Sequence, residues 1–187
     1  MTDKLNKLYL SKGIETEVSK EFETNIGKEL KEMAKKGTLD PILKGLLFAA
    51  DRQIRLREIL KEDIENKILL FDRYVPSAIA YRMAEGIDKE WVTNINSVFP
   101  KHDIGFYIDI SPAESIRRNT DAKFNIRASE EHLSKVREAY MSILEENKLI
   151  YINGMQSIDI IFKEIAVKIE EKRLELIKER EKNEQYI

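Results

Sequence analysis

The sequence contains no cysteine, so these residues can form neither a disulfide framework nor a thiolate metal site. Histidine occurs only twice, and neither His102 nor His132 stands at a spacing typical of a zinc ligand or a Ser-His-Asp triad. Only 7 glycines and 4 prolines interrupt the 187 residues, which favours a helix-rich globular fold. No apolar run approaches the roughly 20 residues of a membrane span. We therefore expect a cytoplasmic protein without a membrane partner and without a metal site built by the protein alone.

Charge is balanced along the chain. Lysines and arginines number 32 against 34 aspartates and glutamates, the net charge is -2, and no strongly basic block stands out. A nucleic-acid partner is therefore not expected. Hydrophobic residues make up 42% of the chain, which suffices for one domain with a sizeable core. We predict a single domain over residues 1–187.

Strand and helix patterns alternate along the chain. Short apolar or alternating runs predict strands over residues 14–22, 68–71, 104–110 and 149–153. Helical spacing and capping residues predict helices over 5–10, 25–36, 40–61, 87–99, 130–146 and about 158–181, with two more beginning near Pro76 and Pro112. We interpret the charges of the C-terminal helix as a solvated face. This order predicts an α/β fold with a parallel sheet flanked by helices.

The stretch 67–82 places polar residues directly after a buried strand. Ile68–Phe71 is an unbroken apolar run, typical of a strand covered on both faces, and Asp72 and Arg73 follow at its carboxyl end. Ligands of open α/β sheets bind at the carboxyl ends of the strands, so both side chains are site candidates. In the next helix, Ser77 and Tyr81 are four residues apart and share one face. The alternative is a surface ion pair that caps a core strand.

The helix predicted over 40–61 has two distinct faces. The apolar face, predicted to be the core side, comprises Leu43, Leu46, Leu47, Ala50 and Ile54. On another face, Phe48 and Arg52 are four residues apart, which suits a ring that stacks on a nucleobase beside a guanidinium that hydrogen-bonds it. The alternative is a phenylalanine that packs on a neighbouring helix beside an arginine that extends to solvent.

Anion-binding side chains accumulate at the strand ends and in the stretch 119–128. This stretch lacks apolar periodicity, and we interpret it as a mobile basic loop. The cations concerned are Arg52, Arg73, Arg117, Arg118, Lys123 and Arg127. Phosphoryl transfer uses such groups because its catalysis consists mainly of positioning and of neutralising phosphate charge. The residues therefore favour phosphoryl transfer over hydrolytic or metal chemistry.

Three motifs, in this order and spacing, resemble the thymidylate kinase family: LLFAADR (46–52), FDRYVPSAIAYR (71–82) and FYIDISPAESIRR (106–118). KFN (123–125) and VREAY (136–140) are similar to the family's lid and to the helix after it. The likeness extends from Met1 to the C-terminal helix. It implies a P-loop kinase-like fold, magnesium-dependent transfer of the γ-phosphate of ATP to thymidine monophosphate (dTMP), and a homodimer formed through helices that flank the sheet.

The resemblance also implies roles for individual side chains. It implies that Phe48 stacks on thymine and that Arg52 hydrogen-bonds the edge of the base. It implies that Arg73 holds the monophosphate, with Asp72 beside the magnesium ion and the phosphates. The remaining candidates are Glu21, Ser77 and Tyr81 for substrate binding, and Arg117, Arg118 and Arg127 for a lid at about 117–128 that closes over the transferred phosphate.

The chain departs from the family's pattern in four places, of which the least consequential is His102, where a proline is usual. Lys20-Glu21-Phe22 stands where Arg-Glu-Pro is common, and Arg82 stands where a glutamine often follows Ala-Tyr. No G-x-x-x-x-G-K-[ST] sequence occurs, so we expect the cradle for the ATP phosphates and the first strand before it to be missing. In the family's fold, that central strand lies between the strands that end at Asp72 and at Asp109.

Two accounts of the missing cradle are open. In the first, the natural protein is longer, begins upstream of Met1 and is an active thymidylate kinase. In the second, the chain is a nucleotide-binding or regulatory relative that holds a nucleoside monophosphate without transferring phosphate. A helix-rich assembly protein would also fit the composition, but it leaves the spacing of the motifs unexplained. In both of the first two accounts, the 187 residues alone are expected to be inactive as a kinase.

Overall fold

The computed structural model describes residues 1–37, 39–61, 64, 66–118 and 129–184. The elements in chain order are α1 (Thr2–Ser11), β1 (Thr16–Lys20), α2 (Asn25–Lys35), α3 (Pro41–Ile59), β2 (Ile68–Asp72), α4 (Val75–Ala84), α5 (Lys89–Asn96), β3 (Gly105–Asp109), α6 (Pro112–Arg118), α7 (Glu130–Ile143), β4 (Leu149–Asn153) and α8 (Ile158–Glu184). This order confirms the predicted α/β class, and the parallel strand pairs are consistent with a P-loop kinase-like fold. Within the described ranges, no helix is long and apolar enough to cross a membrane.

Side-chain caps fix where several helices begin. Thr24, Asp40 and Asp88 accept hydrogen bonds from the backbone N–H groups three residues later, at 3.0, 2.9 and 2.9 Å. Each bond satisfies an N–H group that has no partner inside its helix. The cap at Asp88 explains why α5 begins at Lys89, two residues after the start of the helix predicted over 87–99. The stretch interpreted as a mobile loop, 119–128, lies outside the described residues.

The four strands among the described residues form two parallel pairs. β1 pairs with β2 so that Lys20 lies beside Asp72, and β3 pairs with β4 so that Asp109 lies beside Asn153. Each pair belongs to one of two compact units, of which the first comprises Met1–Pro100 with Ser111–Ile143 and the second Lys101–Ile110 with the chain from Leu144 onwards. The single domain stays a prediction. The missing central strand, expected between β2 and β3, also stays a prediction.

The hydrophobic core of the first unit lies where α4 packs against α5 and α7. Its buried members are Ile79, Ala80, Val92, Ala139 and Ile143. Half-buried Trp91 and Met83 pack against this cluster. Because apolar burial contributes roughly 1.5–3 kcal/mol for each large side chain, this packing holds α4 firmly in place. The helix α4 carries Ser77 and Tyr81, so the core also positions these two side chains.

The second unit buries apolar side chains of β4 and α8. They are Leu149, Ile152, Ile161, Ile165 and Ile169, and the last three recur every four residues along one face of α8. At the carboxyl end of β3, the buried carboxylate of Asp109 accepts hydrogen bonds from the hydroxyls of Tyr107 and Tyr151 at 3.0 and 3.1 Å. These two donors satisfy an acid that would otherwise be costly to bury.

The helix α3 buries a different face from the one predicted. The prediction of a core side formed by Leu43, Leu46, Leu47, Ala50 and Ile54 is wrong, since Leu46 is 48% exposed and the other four are only partly buried. The buried residues of α3 are instead Gly45, Asp51, Arg52, Arg55, Leu56 and Ile59. Charged side chains of α3 can be buried because they form hydrogen bonds inside the protein. The spacing of apolar residues does not reveal such bonds.

A buried polar network joins β1, α2 and α3. The guanidinium of Arg55 donates from Nε to Oδ2 of Asp51 at 3.0 Å and from Nη1 to the hydroxyl of Ser19 at 2.8 Å. The other carboxylate oxygen of Asp51 accepts from the hydroxyl of Thr24 at 2.6 Å. A Cβ atom at Gly27 would lie 2.5 Å from that oxygen, so the glycine leaves the carboxylate room to approach α2. The network thereby fixes the start of α2 against the middle of α3.

Replacing Thr24 by alanine tests how much this network stabilises the protein. The variant loses a helix cap, worth about 1 kcal/mol, and a hydrogen bond to a buried carboxylate, worth about 1.5–3 kcal/mol. We expect Thr24→Ala to lower the free energy of unfolding in urea by roughly 2–4 kcal/mol. Asp40→Ala is the matched control, because Asp40 is an exposed cap and its loss should cost only about 1 kcal/mol. Equal losses in the two variants would contradict a contribution from the network.

Candidate functional site

A cleft of about 370 Å³, partly open to solvent, is lined by residues that follow β1 and β2 and by side chains of α3, α4 and α5. The lining residues are Glu21, Gly45, Phe48, Arg73, Ser77, Ala78, Tyr81, Arg82, Val92 and Asn96. Of the six residues predicted to bind substrate, all but Arg52 line this cleft.

Both strands of the first unit are followed by a residue in the left-handed backbone region. Phe22 has a φ of 69° and Arg73 a φ of 70°. A side chain in this region costs roughly 1–2 kcal/mol relative to glycine. The turn at Phe22 brings its ring edge-on to that of Phe48, with 5.5 Å between the ring centroids. Strained backbone of this kind clusters at functional sites, and here it flanks the cleft.

Arg73 forms a cationic wall of the cleft at the carboxyl end of β2. Its guanidinium carbon lies 4.8 Å from the centroid of the Tyr81 ring, so the cation stacks on that ring. The alternative of a surface ion pair would instead place the guanidinium against the carboxylate of Asp72. Nearby, the Ser77 hydroxyl accepts a hydrogen bond at 2.6 Å from the hydroxyl of Tyr140. Burial raises the pKa of Tyr140 to about 12, so this hydroxyl stays a neutral donor at physiological pH. The cleft wall here therefore offers the Arg73 cation and the hydroxyl group of Ser77, which Tyr140 orients.

Phe48 and a second guanidinium form another part of the cleft. The guanidinium carbon of Arg82 lies 5.5 Å from the centroid of the Phe48 ring. Arg82 is 4% exposed, and its Nη2 pairs with a carboxylate oxygen of Glu85 at 3.2 Å. A flat ring beside a planar cation suits a flat, polar ligand such as a nucleobase.

Arg52 is entirely buried, with no exposed surface. Its guanidinium carbon lies 5.6 Å from the ring centroid of Tyr74 and 5.3 Å from that of Phe99. Its Nη1 donates to the side-chain carbonyl of Asn96, which lines the cleft. Its Nε and Nη2 are buried without a hydrogen-bond partner among the described residues. The alternative of an arginine that extends to solvent is therefore wrong, and Arg52 meets the cleft through Asn96.

The predicted lid arginines that the structure describes are neutralised on their own helix, α6. Arg117 donates from Nε and Nη2 to both carboxylate oxygens of Glu114 at 2.6 Å, and Arg118 donates to the same carboxylate at 2.5 Å. These hydrogen bonds lower the pKa of Glu114 to about 2. Both arginines are exposed. The other lid candidates, Lys123 and Arg127, lie outside the described residues.

Asp72 is the carboxylate that the family resemblance placed beside a magnesium ion. In the part of the chain that the structure describes, no group of three or more acidic or histidine side chains could hold one. Asp72 is exposed at the carboxyl end of β2, with Lys20 opposite it in the sheet. Magnesium that is bound through nucleotide phosphates takes only one or two protein carboxylates. The single carboxylate of Asp72 therefore fits an ion held mainly by phosphates.

Sequence reasoning missed the contributions of Arg82, Asn96 and Tyr140. Arg82 stood out only as a departure from a family pattern. Tyr140 stood out only as the last residue of a family-like stretch, and Asn96 carried no signal, because a lone polar residue on a helix does not reveal which other helix it meets. Both reach the site only because α5 and α7 pack against α4.

Comparisons with known proteins agree with the motif resemblance. The sequence profile of the thymidylate kinase family matches residues 1–165. The chain is 39% identical to a probable thymidylate kinase of Sulfolobus acidocaldarius, over 72% of this chain and 70% of the relative. It is 37% identical to probable thymidylate kinase 1 of Saccharolobus solfataricus, over 78% of this chain and 76% of the relative. A probable thymidylate kinase of Pyrococcus abyssi is 33% identical, over 71% of this chain and 67% of the relative.

Glu21 brings a negative charge to a cleft wall otherwise rich in guanidinium groups. Burial raises the pKa of its carboxyl group, and the charges of Arg73, Arg52 and Arg55 offset only part of this effect. The folded protein therefore favours the protonated form of Glu21 more than the unfolded chain does.

The raised pKa of Glu21 predicts a pH dependence that the neutral variant Glu21→Gln should lack. The stabilisation from the protonated carboxyl is complete below its ordinary pKa of 4.5 and is lost as the pH rises through the raised value. The stability of the wild type relative to Glu21→Gln should therefore fall from acid to neutral pH in urea titrations. Glu58→Gln is the control, since the Lys61 hydrogen bond lowers the pKa of Glu58 and gives the opposite sign. If the stability of the wild type relative to Glu21→Gln increased as the pH rises, the raised pKa of Glu21 would be contradicted.

Proposed function

Because the chain belongs to the thymidylate kinase family, we propose that the cleft of its first unit binds dTMP as the phosphate acceptor. The observation that supports this proposal is the convergence of predicted residues from three separate parts of the chain on one cleft. Glu21 follows β1, Phe48 lies on α3, and Arg73, Ser77 and Tyr81 follow β2. Residues so distant in sequence would share a cleft only if the fold brings them together.

The cleft offers separate places for the phosphate and the base. Arg73 stands at the carboxyl end of β2 and would hold the monophosphate, beside the hydroxyl of Ser77. The ring of Phe48 would stack on the thymine base, and Tyr81 would line the sugar pocket between them. Arg52 would hydrogen-bond the edge of the base, since two of its buried nitrogen atoms have no partner among the described residues.

The reaction of the intact family is transfer of the γ-phosphate of ATP to dTMP, and the side chains of this chain are proposed to serve that reaction as follows. Magnesium would neutralise phosphate charge, and Asp72 is the carboxylate that would approach it from the end of β2. Arg117 and Arg118 would act in the lid with Arg127, exchanging their bonds to Glu114 for bonds to phosphate oxygens. The protein's part in this chemistry is to orient the acceptor and to neutralise charge.

For the donor side, we propose that the 187-residue chain binds the acceptor without transferring phosphate. No stretch of its sequence matches the glycine-rich motif whose backbone N–H groups and lysine hold the phosphates of ATP. This proposal covers both a longer natural enzyme and a relative that only binds a nucleotide. In either case the acceptor cleft is complete enough to be tested by itself.

Thermal unfolding tests the acceptor cleft directly. Saturating dTMP, at about 100 times its Kd, should raise the Tm by roughly 5–10 °C, and ATP should raise it less. Phe48→Ala should abolish the dTMP shift, because the base loses its stacking surface. Arg57→Ala is the control, since this exposed arginine of α3 lies outside the cleft and its variant should keep the shift. Equal shifts in Phe48→Ala and the wild type would remove the assignment of the base pocket.

A coupled assay with ATP, dTMP and magnesium tests the donor side. The 187-residue chain should form no ADP above background, because it lacks a cradle for the ATP phosphates. A probable thymidylate kinase such as the one from Sulfolobus acidocaldarius serves as the comparison protein under the same conditions. Turnover by the chain at a comparable rate would show that its own residues do hold the donor.

We also propose that the chain forms a homodimer through the apolar face of α3. Ile42 and Leu46 are 42% and 48% exposed, next to partly buried Leu43, Leu47 and Ala50. An apolar helix face of this kind favours burial against a partner. Sedimentation should show a dimer that Leu46→Glu converts to a monomer, while Leu10→Glu, at an exposed leucine of α1, leaves the dimer intact. A monomeric wild type would contradict the proposal.

A further inference from the structure

Asn96 is a buried amide of α5 that lines the cleft and that the proposed function leaves without a role. It is 3% exposed. Its side-chain carbonyl accepts a hydrogen bond from Nη1 of Arg52, and its Nδ2 donates to the backbone carbonyl of Val92 at 2.8 Å. Turning the amide over would set its NH2 group against a guanidinium donor and its oxygen against the carbonyl oxygen of Val92. Only one orientation of the amide therefore satisfies both neighbours.

Two kinds of contact hold the buried guanidinium of Arg52. The rings of Tyr74 and Phe99 confine it, with centroids 5.6 and 5.3 Å from its central carbon. The attraction between a cation and a ring face does not depend on a hydrogen bond, so it leaves the direction of the N–H groups open. A hydrogen bond is directional, because it weakens steeply when the donor turns away from the acceptor. The bond to Asn96 therefore fixes the direction of the guanidinium between the two rings.

The bond from Nη1 leaves the opposite edge of the Arg52 guanidinium available. The N–H group of Nε and one N–H group of Nη2 point in the same direction, and such a pair can donate to two acceptors at once. Both nitrogen atoms are buried without a hydrogen-bond partner among the described residues. The hydrogen bond to Asn96 thus decides which edge of the guanidinium stays open to a ligand.

The hydrophobic core holds Asn96 itself in place. Val92, one turn earlier on α5, has no exposed surface and belongs to the core cluster where α5 packs against α4. Asp88 caps the start of the same helix, and the buried ring of Phe99 follows its end. The direction of the Arg52 guanidinium is therefore set by α5 as well as by α3, the helix that carries it.

We propose that Asn96 is a positioning residue for acceptor binding, which orients the Arg52 guanidinium so that its Nε–Nη2 edge is available to the nucleotide. This inference rests on the proposed function, in which Arg52 hydrogen-bonds the base, and it adds a residue that acts through Arg52. Both polar atoms of the Asn96 amide already form hydrogen bonds inside the protein. Asn96 therefore organises the site before the ligand arrives, and without it the guanidinium has to be ordered at the expense of affinity.

A double-mutant cycle on dTMP binding tests whether Asn96 acts through Arg52. In titration calorimetry with the full chain, Asn96→Leu should weaken dTMP binding about tenfold to a hundredfold, because Arg52 loses the hydrogen bond that orients it. In the Arg52→Met background, Asn96→Leu should change the dTMP affinity by less than about twofold, since there is no guanidinium left to orient. Asn94→Leu is the matched control at an exposed position of the same helix, and it should bind dTMP as the wild type does.

A conservative variant separates the positioning of Arg52 from the folding of α5. Asn96→Asp keeps an acceptor for Nη1 of Arg52 but loses the donor to the Val92 carbonyl. It should therefore lower the Tm while it keeps the dTMP affinity within about threefold of the wild type. A merely structural role of Asn96 would instead lower the affinity together with the Tm in both Asn96→Asp and Asn96→Leu.

The outcomes distinguish this inference from the proposed function. Wild-type dTMP affinity in Asn96→Leu, or an equal loss with and without Arg52, would overturn the positioning role and leave dTMP binding standing. The second of these results would mean that Asn96 contacts the ligand directly. A wild type that does not bind dTMP would overturn the proposed function together with this inference. Circular dichroism checks folding, and Asn96→Ala, which removes the same hydrogen bonds with a smaller side chain, takes the place of Asn96→Leu if that variant does not fold.

Discussion

The buried ion pair between Asp51 and Arg55 is the interaction on which the geometry of the cleft depends. It ties α3 to Ser19 of β1 and, through Thr24, to the first turn of α2. Asp51 immediately precedes Arg52, so the same turn of α3 fixes the guanidinium that meets the cleft. Breaking a buried pair costs about 3–5 kcal/mol because it leaves an uncompensated charge. The charges inside the first unit therefore hold its site together as much as its apolar core does.

The cleft concentrates positive charge that the protein does not fully neutralise. Arg73 and Arg82 line it, Arg52 lies behind it, and Glu21 is held partly toward its protonated form by burial. Buried nitrogen atoms of Arg52 and Arg82 have no partner among the described residues. A site of this kind is organised before its ligand arrives, and an anionic, carbonyl-bearing molecule completes its hydrogen bonds. The chain belongs to the thymidylate kinase family, and the ligand proposed for this cleft is dTMP.

Local sequence patterns predicted the positions of helices and strands better than they predicted which face of a helix is buried. The apolar run Ile68–Phe71 identified β2, because a strand buried on both faces needs nothing but apolar side chains. The orientation of α3 was mistaken, because a periodicity of leucines cannot show that Arg52 and Asp51 find partners inside the protein. The strand ends drew attention to Arg73, which lines the cleft. The contacts of Asn96 and Tyr140 could not be predicted from the sequence, because they arise only when α5 and α7 pack against α4.

The left-handed backbone conformation of Arg73 lowers the stability of the fold at the residue that carries a cation of the cleft. Glycine adopts a φ of 70° without strain, so a glycine at this position would relieve roughly 1–2 kcal/mol of backbone cost. The same change would remove the cation from the carboxyl end of β2. Selection of variants for thermal stability alone would therefore favour replacing Arg73 by glycine, which removes the charge at this turn. The fold thus accepts a less favourable backbone conformation at the residue that carries this cation.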